Sequence, residues 1–231
     1  MLKDLLRPGL IVSCQALEDE PLHSPKIMAR LAYAAEMGGA VGIRANTGED
    51  IRAIKKRVKL PVIGLVKRNY TDSEVYITPT MKEVKEIVKA GAEIIALDAT
   101  MRLRPNKLTL KELYEEIREK YPDKYLMADI STLDEGIYAD ELGFDIVSTT
   151  LSGFTSYTKD NKLPNIALVE ALSKNLKNAI LIAEGGIWTI EELNECLKYS
   201  YAAVIGSAIT RPHIATRRYV EGINKEYLKE E

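Results

Sequence analysis

The sequence predicts a single (β/α)8 (TIM) barrel domain spanning residues 1–231, and three observations predict it. Eight short, β-branched apolar runs alternate strictly with longer, charged, amphipathic stretches. The runs begin between residues 10 and 201, about 27 residues apart on average, which suits one strand plus one crossover helix. The runs are also continuously apolar, as strands are in a parallel sheet covered on both faces. Eight such units in one chain of this length give a barrel. An open doubly wound sheet is the runner-up. Such sheets usually carry Gly-x-Gly-x-x-Gly after the first strand, and no two of the 14 glycines here stand two apart.

Taken in order, Leu10–Ala16 is the first strand and brings Gln15 to its C-terminal end. Ser24-Pro25 reads as an N-cap with Pro at the first helical position, for a helix that stops at Gly38-Gly39. Ala40–Ala45 delivers Arg44, and Lys55-Lys56-Arg57 beyond it is a solvated helix face. Pro61–Lys67 delivers Lys67, on the strand face of Ile63 and Leu65 by the period of two. A helix from Thr80 to Ala90 ends at Gly91. Ile94–Thr100 delivers Asp98, and a helix from Thr109 to Lys120 precedes Pro122. Tyr125–Ser131 delivers Asp129, and Thr132-Leu133-Asp134-Glu135 has the capping-box form, with Gly143 closing its helix. Ile146–Leu151 delivers Thr149 and Thr150. Ala179–Gly185 delivers Glu184 ahead of Gly185-Gly186, and Thr189 to Glu192 repeats the capping-box form. Tyr201–Ile209 carries Gly206-Ser207 within it.

Composition narrows the function classes. Thirty-two basic against 34 acidic residues leave a formal net charge of −2, so no global field draws the chain to nucleic acid or an anionic membrane. No apolar run approaches the ~20 residues of a membrane helix, and no signal-peptide stretch opens the sequence. Cys14 and Cys196 are too few and too far apart for a disulfide framework or a four-cysteine zinc site and read as buried filler. A soluble, cytoplasmic protein is expected. Neither His23 nor His213 ends a strand, so no metal is expected, and no cofactor is called for. The tyrosines read as core edge or surface.

Barrel enzymes place their chemistry at the C-terminal strand ends. A polar residue at one strand end is ordinarily the start of a loop, but here the pattern recurs around the barrel. Lys67, in a partly apolar setting, loses hydration and with it part of its preference for the charged form, which suits a general base or a Schiff-base nucleophile. A structural ion pair with Asp98, Asp129 or Glu184 stands equally open. Glu184 suits general acid–base work on a sugar hydroxyl. Gly185, Gly186, Gly206 and Ser207 fall in the two loops that form the recurrent phosphate site of these barrels.

The chain resembles the N-acylglucosamine-6-phosphate 2-epimerase family, also called N-acetylmannosamine-6-phosphate 2-epimerases. The resemblance rests on Ser13-Cys14-Gln15-Ala16-Leu17, Gly42-Ile43-Arg44-Ala45-Asn46, Pro61 to Arg68, Ile77-Thr78-Pro79-Thr80 and Ala96-Leu97-Asp98-Ala99-Thr100. It continues through Leu126 to Ser131, Thr149 to Gly153, Ala183-Glu184-Gly185 and Val204 to Pro212, in order over nearly the whole chain. Gly186 stands where the family commonly has a basic residue, Tyr201 where it has Gly, and Phe154 where Tyr is frequent.

The resemblance implies interconversion of N-acetylmannosamine 6-phosphate and N-acetylglucosamine 6-phosphate in amino-sugar (sialic acid) catabolism. Lys67 would be the catalytic base and Glu184 the second catalytic group. Gln15, Arg44 and Asp129 would hold the sugar and its N-acetyl group, and Gly185, Gly186, Gly206 and Ser207 the phosphate. The implied partner is the phosphorylated amino sugar; a homodimer is plausible, with no interface marked in the sequence. Three competing readings are a Schiff-base aldolase, a metal-dependent sugar-phosphate epimerase and a phosphosugar-binding barrel without catalysis.

Overall fold

The computed structural model describes residues 1–224 and residue 226; Lys225 and residues 227–231 of the expected domain lie outside the described residues. Eight parallel strands close into a barrel in sequence order: β1 (Gly9–Cys14), β2 (Gly42–Asn46), β3 (Val62–Leu65), β4 (Ile94–Asp98), β5 (Tyr125–Asp129), β6 (Ile146–Ser148), β7 (Ile180–Glu184) and β8 (Ala202–Ile205). Closure is made by β8 on β1, with Gly9 opposite Ala202 and Val12 opposite Ile205.

The period of two divides each strand between two cores. Inward-facing Ile11, Ile63, Leu65, Ile94, Ala96, Met127, Ile146, Ile182 and Val204 fill the barrel, and Leu6, after the short α1 (Leu2–Leu5), closes its N-terminal end. Outward-facing Val12, Ile43, Val62, Ile95, Leu97, Leu126, Val147 and Leu181 pack under the helices. Two residues beyond the apolar filling, the next inward-facing residues are Ser13, Arg44, Asp98, Asp129, Ser148 and Glu184. The same alternation that builds the core therefore gathers polar side chains in one layer at the C-terminal mouth.

The helices are α2 (Pro25–Met37), α3 (Gly48–Lys55), α4 (Met81–Ala90), α5 (Leu110–Lys120), α6 (Leu133–Leu142), α7 (Ile166–Asn175), α8 (Ile190–Leu197), α9 (Ser207–Thr210) and α10 (Pro212–Glu221). Thr80, Thr109, Thr132 and Thr189 each accept from a first-turn amide, and Glu83, Glu112, Glu135 and Glu192 complete the capping boxes. Each box fixes where a strand-to-helix loop ends. Cys14 and Cys196 are buried, and burial pushes their thiols up to about 12 and about 11.

Candidate active site

A cavity of about 460 Å³ opens at the C-terminal mouth. Eight of the nine expected site residues line it: Gln15, Arg44, Lys67, Glu184, Gly185, Gly186, Gly206 and Ser207. Asp129 is the exception. It is fully buried beneath the cavity floor, and its carboxylate takes both arms of the Arg44 guanidinium, at 3.0 and 2.6 Å. The Thr150 hydroxyl donates to Asp129 at 2.7 Å. Asp129 thus meets the cavity through Arg44 and Thr150 rather than lining it as expected.

Arg44 sits in the middle of β2, not at its end, because the strand runs on to Asn46. Its second carboxylate neighbour is Glu184 at 3.3 Å. Burial opposes the guanidinium charge, but Asp129 and Glu184 outweigh burial and raise its pKa. Glu184 ends β7, and its carboxyl is held above the usual range, first by burial and then by Asp129, against the pull of Arg44. Its main chain is locked both ways by the Thr149 hydroxyl, at 2.9 and 3.0 Å.

Lys67 lies two residues past the end of β3, where its amide donates to Asn46 Oδ1 at 2.8 Å. Among the described residues Lys67 forms no ion pair. Asp98 is engaged by Arg102 and Thr100, each at 2.7 Å, while Asp129 and Glu184 pair with Arg44. Burial, then the charges of Arg211 and Arg44, lowers the Lys67 pKa to about 8 despite Glu184 and Asp129.

The opposite end of the cavity is made by β7 and β8. Gly185 and Gly186 have φ of +112° and +72°, and a Cβ on Gly186 would stand 2.5 Å from Leu163 Cβ. Only glycine fits there without strain. The amides of Gly185, Gly186 and Ser207 find no acceptor among the described residues. The Thr210 hydroxyl holds α9 against β1 through the Ser13 carbonyl at 2.7 Å.

Arg211, Arg218, Trp188 and Tyr76 also line the cavity and were not among the expected residues. Arg211 pairs with Glu20 at 3.3 Å, and Arg218 lies 4.7 Å over the Trp188 ring. Arg211 was within reach, being part of the Val204 to Pro212 segment. Arg218 had no signal, since it reads as an ordinary exposed helix residue. His23 bonds the Ala16 carbonyl and His213 stands 3.8 Å from Glu20. No group of three or more metal-ligating side chains occurs among the described residues. Nor does any helix among them have the length and apolarity to cross a membrane.

Fold and cavity together define a barrel enzyme that works on a small polar molecule, with lysine, carboxyl and arginine at one end and free amides at the other. The chain matches the family described as "putative N-acetylmannosamine-6-phosphate epimerase" over residues 28–225. A relative of corresponding 2-epimerase name from Caldanaerobacter subterraneus subsp. tengcongensis is 57% identical over 221 residues, 95% of this chain and 93% of the relative. Another, from Clostridioides difficile, is 54% identical and covers 95% and 98%. The solved structure of the N-acetylmannosamine-6-phosphate 2-epimerase from Clostridium perfringens has a TM-score of 0.92 and 53% identity, covering 96% of each chain. A thiamine phosphate pyrophosphorylase from Pyrococcus furiosus, with a TM-score of 0.62 and 16% identity over 95% and 97% of the two chains, shares the fold alone. The chain belongs to the N-acetylmannosamine-6-phosphate 2-epimerase family of carbohydrate isomerases.

Proposed function

We propose that the protein interconverts N-acetylmannosamine 6-phosphate and N-acetylglucosamine 6-phosphate, as a step in amino-sugar (sialic acid) catabolism, with Lys67 moving the proton on the acetamido-bearing carbon. The observation that carries this reading is a lysine without an ion pair among the described residues, its pKa lowered to about 8, in one cavity with a carboxyl of raised pKa and a fixed arginine. A pKa of about 8 leaves roughly one lysine in ten neutral at pH 7 and half at pH 8. That suits a base working near neutral pH.

The C2 proton becomes acidic once the sugar ring opens to the aldehyde. Glu184, which retains a proton more readily than an ordinary carboxylate, exchanges protons with the ring oxygen and anomeric hydroxyl. Neutral Lys67 removes the C2 proton, and the electron pair moves through the new C1–C2 double bond onto the carbonyl oxygen. Arg44, fixed by Asp129, stabilises that enolate. Return of a proton to the opposite face gives the epimer. The donor is the Lys67 ammonium if the enolate turns over, and Glu184 if it does not.

Gln15 has a buried Oε1 without a partner among the described residues, which an acetamido N–H would satisfy. Asp129 acts on the sugar through Arg44 and Thr150. The amides around Gly185, Gly186, Gly206 and Ser207, with the charges of Arg211 and Arg218, take the phosphate. Assay of purified protein against N-acetylmannosamine 6-phosphate, with a chelator present, tests the reading: the 2-epimer should form at an undiminished rate. Failure to form it, or activity restored only by a divalent ion, contradicts the reading. A homodimer is part of the proposal, and analytical ultracentrifugation reads it directly.

A further inference from the structure

Tyr76 lines the cavity and has no task in the proposed chemistry. It lies in the connection from β3 to α4, which folds back beside the end of β3. Lys67 and Ile77 form an antiparallel bridge, and the Arg68 amide donates to the Tyr76 carbonyl at 2.9 Å. Tyr76 therefore stands next to Lys67 on the β2–β3 side, across the cavity from the glycines of β7 and β8.

Its ring is half-buried, yet its hydroxyl bonds no other residue among those described. The hydroxyls of the partly buried Tyr121, Tyr125, Tyr138 and Tyr199 are likewise without a protein partner among the described residues, but of the described tyrosines Tyr76 alone lines the cavity. A phenol whose ring is packed and whose hydroxyl faces a cavity is placed to pair with a bound molecule. Burial, followed by the carboxylates of Asp129 and Asp98, raises the Tyr76 pKa, so the hydroxyl stays protonated and is available as a neutral donor.

The layout of the cavity says what that donor meets. A hexose 6-phosphate carries its phosphate at one end and C1 and C2 at the other. With the phosphate on the β7–β8 amides, C2 comes to Lys67, and the substituent on C2 projects into the neighbourhood of Tyr76. Arg44 is a fixed cation, so an acceptor oxygen suits this end better than a further donor.

We propose that Tyr76 is a specificity-determining residue whose hydroxyl donates to the carbonyl oxygen of the C2 acetamido group, so that the cavity selects N-acylated over unsubstituted hexose 6-phosphates. This assignment rests on the sugar-phosphate reading above.

The test compares wild type with Tyr76→Phe by calorimetric titration with N-acetylglucosamine 6-phosphate and with glucose 6-phosphate, beside steady-state kinetics on N-acetylmannosamine 6-phosphate. Because the hydroxyl holds no protein group, the variant should keep the wild-type Tm. Affinity for the acetylated sugar should fall roughly tenfold, the scale of one neutral hydrogen bond, with the affinity for glucose 6-phosphate unchanged. KM should rise by a similar factor at constant kcat. An equal loss on both sugars, no loss on either, or a fall in kcat at constant KM would overturn the assignment. A wild type that binds the acetylated sugar without epimerising it defeats the reaction alone, and the binding comparison still decides Tyr76. A wild type that binds neither sugar defeats the underlying reading and the assignment with it.

Discussion

A lysine beside two carboxylates would ordinarily be held firmly charged, yet burial, Arg211 and Arg44 together outweigh Glu184 and Asp129 at Lys67. On the proposed mechanism the neutral form is the reactive one, so kcat/KM should rise tenfold per pH unit below about 8 and level off above it. Replacing Arg211 with Gln removes a cation that favours the neutral lysine. The Lys67 pKa then rises, and the acid limb of the kcat/KM profile should move to higher pH. A limb left in place would show that Arg211 does not act on Lys67. Asp129 illustrates the complementary case, a buried carboxylate spent on holding another side chain. Asp129→Ala strands the Arg44 guanidinium in the barrel with only Glu184 beside it, at a cost of about 3 kcal/mol or more. For a domain of this size that is a Tm lower by roughly 6–12 °C, read by calorimetry, together with a loss of kcat.

Most elements were legible because their signals are local. The eight strands follow from continuous apolar runs, and the helix starts at Thr132 and Thr189 from a threonine with a glutamate three residues on. That Gly185-Gly186 and Gly206-Ser207 would lie side by side was legible because the barrel brings the loops after neighbouring strands together. What stayed hidden depends on contacts far apart in sequence. Asp129 and Arg44 are 85 residues apart, and nothing local says that one spends its whole carboxylate on the other. Tyr76 and Arg218 look like loop and surface residues until the chain folds over the mouth. The β7–α8 turn yields a direct test. Gly186→Ala forces a side chain into φ of +72° and against Leu163. The strain alone is ~1–3 kcal/mol. Tm should fall by a few degrees and KM for the phosphorylated sugar should rise, whereas unchanged values of both would show that the turn tolerates a Cβ.

On the proposed function the whole molecule joins two tasks across one cavity, a phosphate grip assigned to β7–β8 and proton transfer assigned to β2–β3 and β7, all of which line it. Binding energy gathered at the remote phosphate supports the chemical step. Unphosphorylated N-acetylmannosamine should therefore show a much lower kcat/KM, and comparable values for the two sugars would remove the phosphate assignment. The central claim is that Lys67 carries the proton. Its most direct test is a proton NMR time course of N-acetylmannosamine 6-phosphate in deuterated water, run with wild type and Lys67→Ala at matched, verified folding. Wild type should convert the sugar to its 2-epimer. The Lys67→Ala protein should leave the C2 proton and the substrate untouched, slower by ~10²–10⁴-fold or more. A folded Lys67→Ala protein that epimerises at close to the wild-type rate would contradict the account.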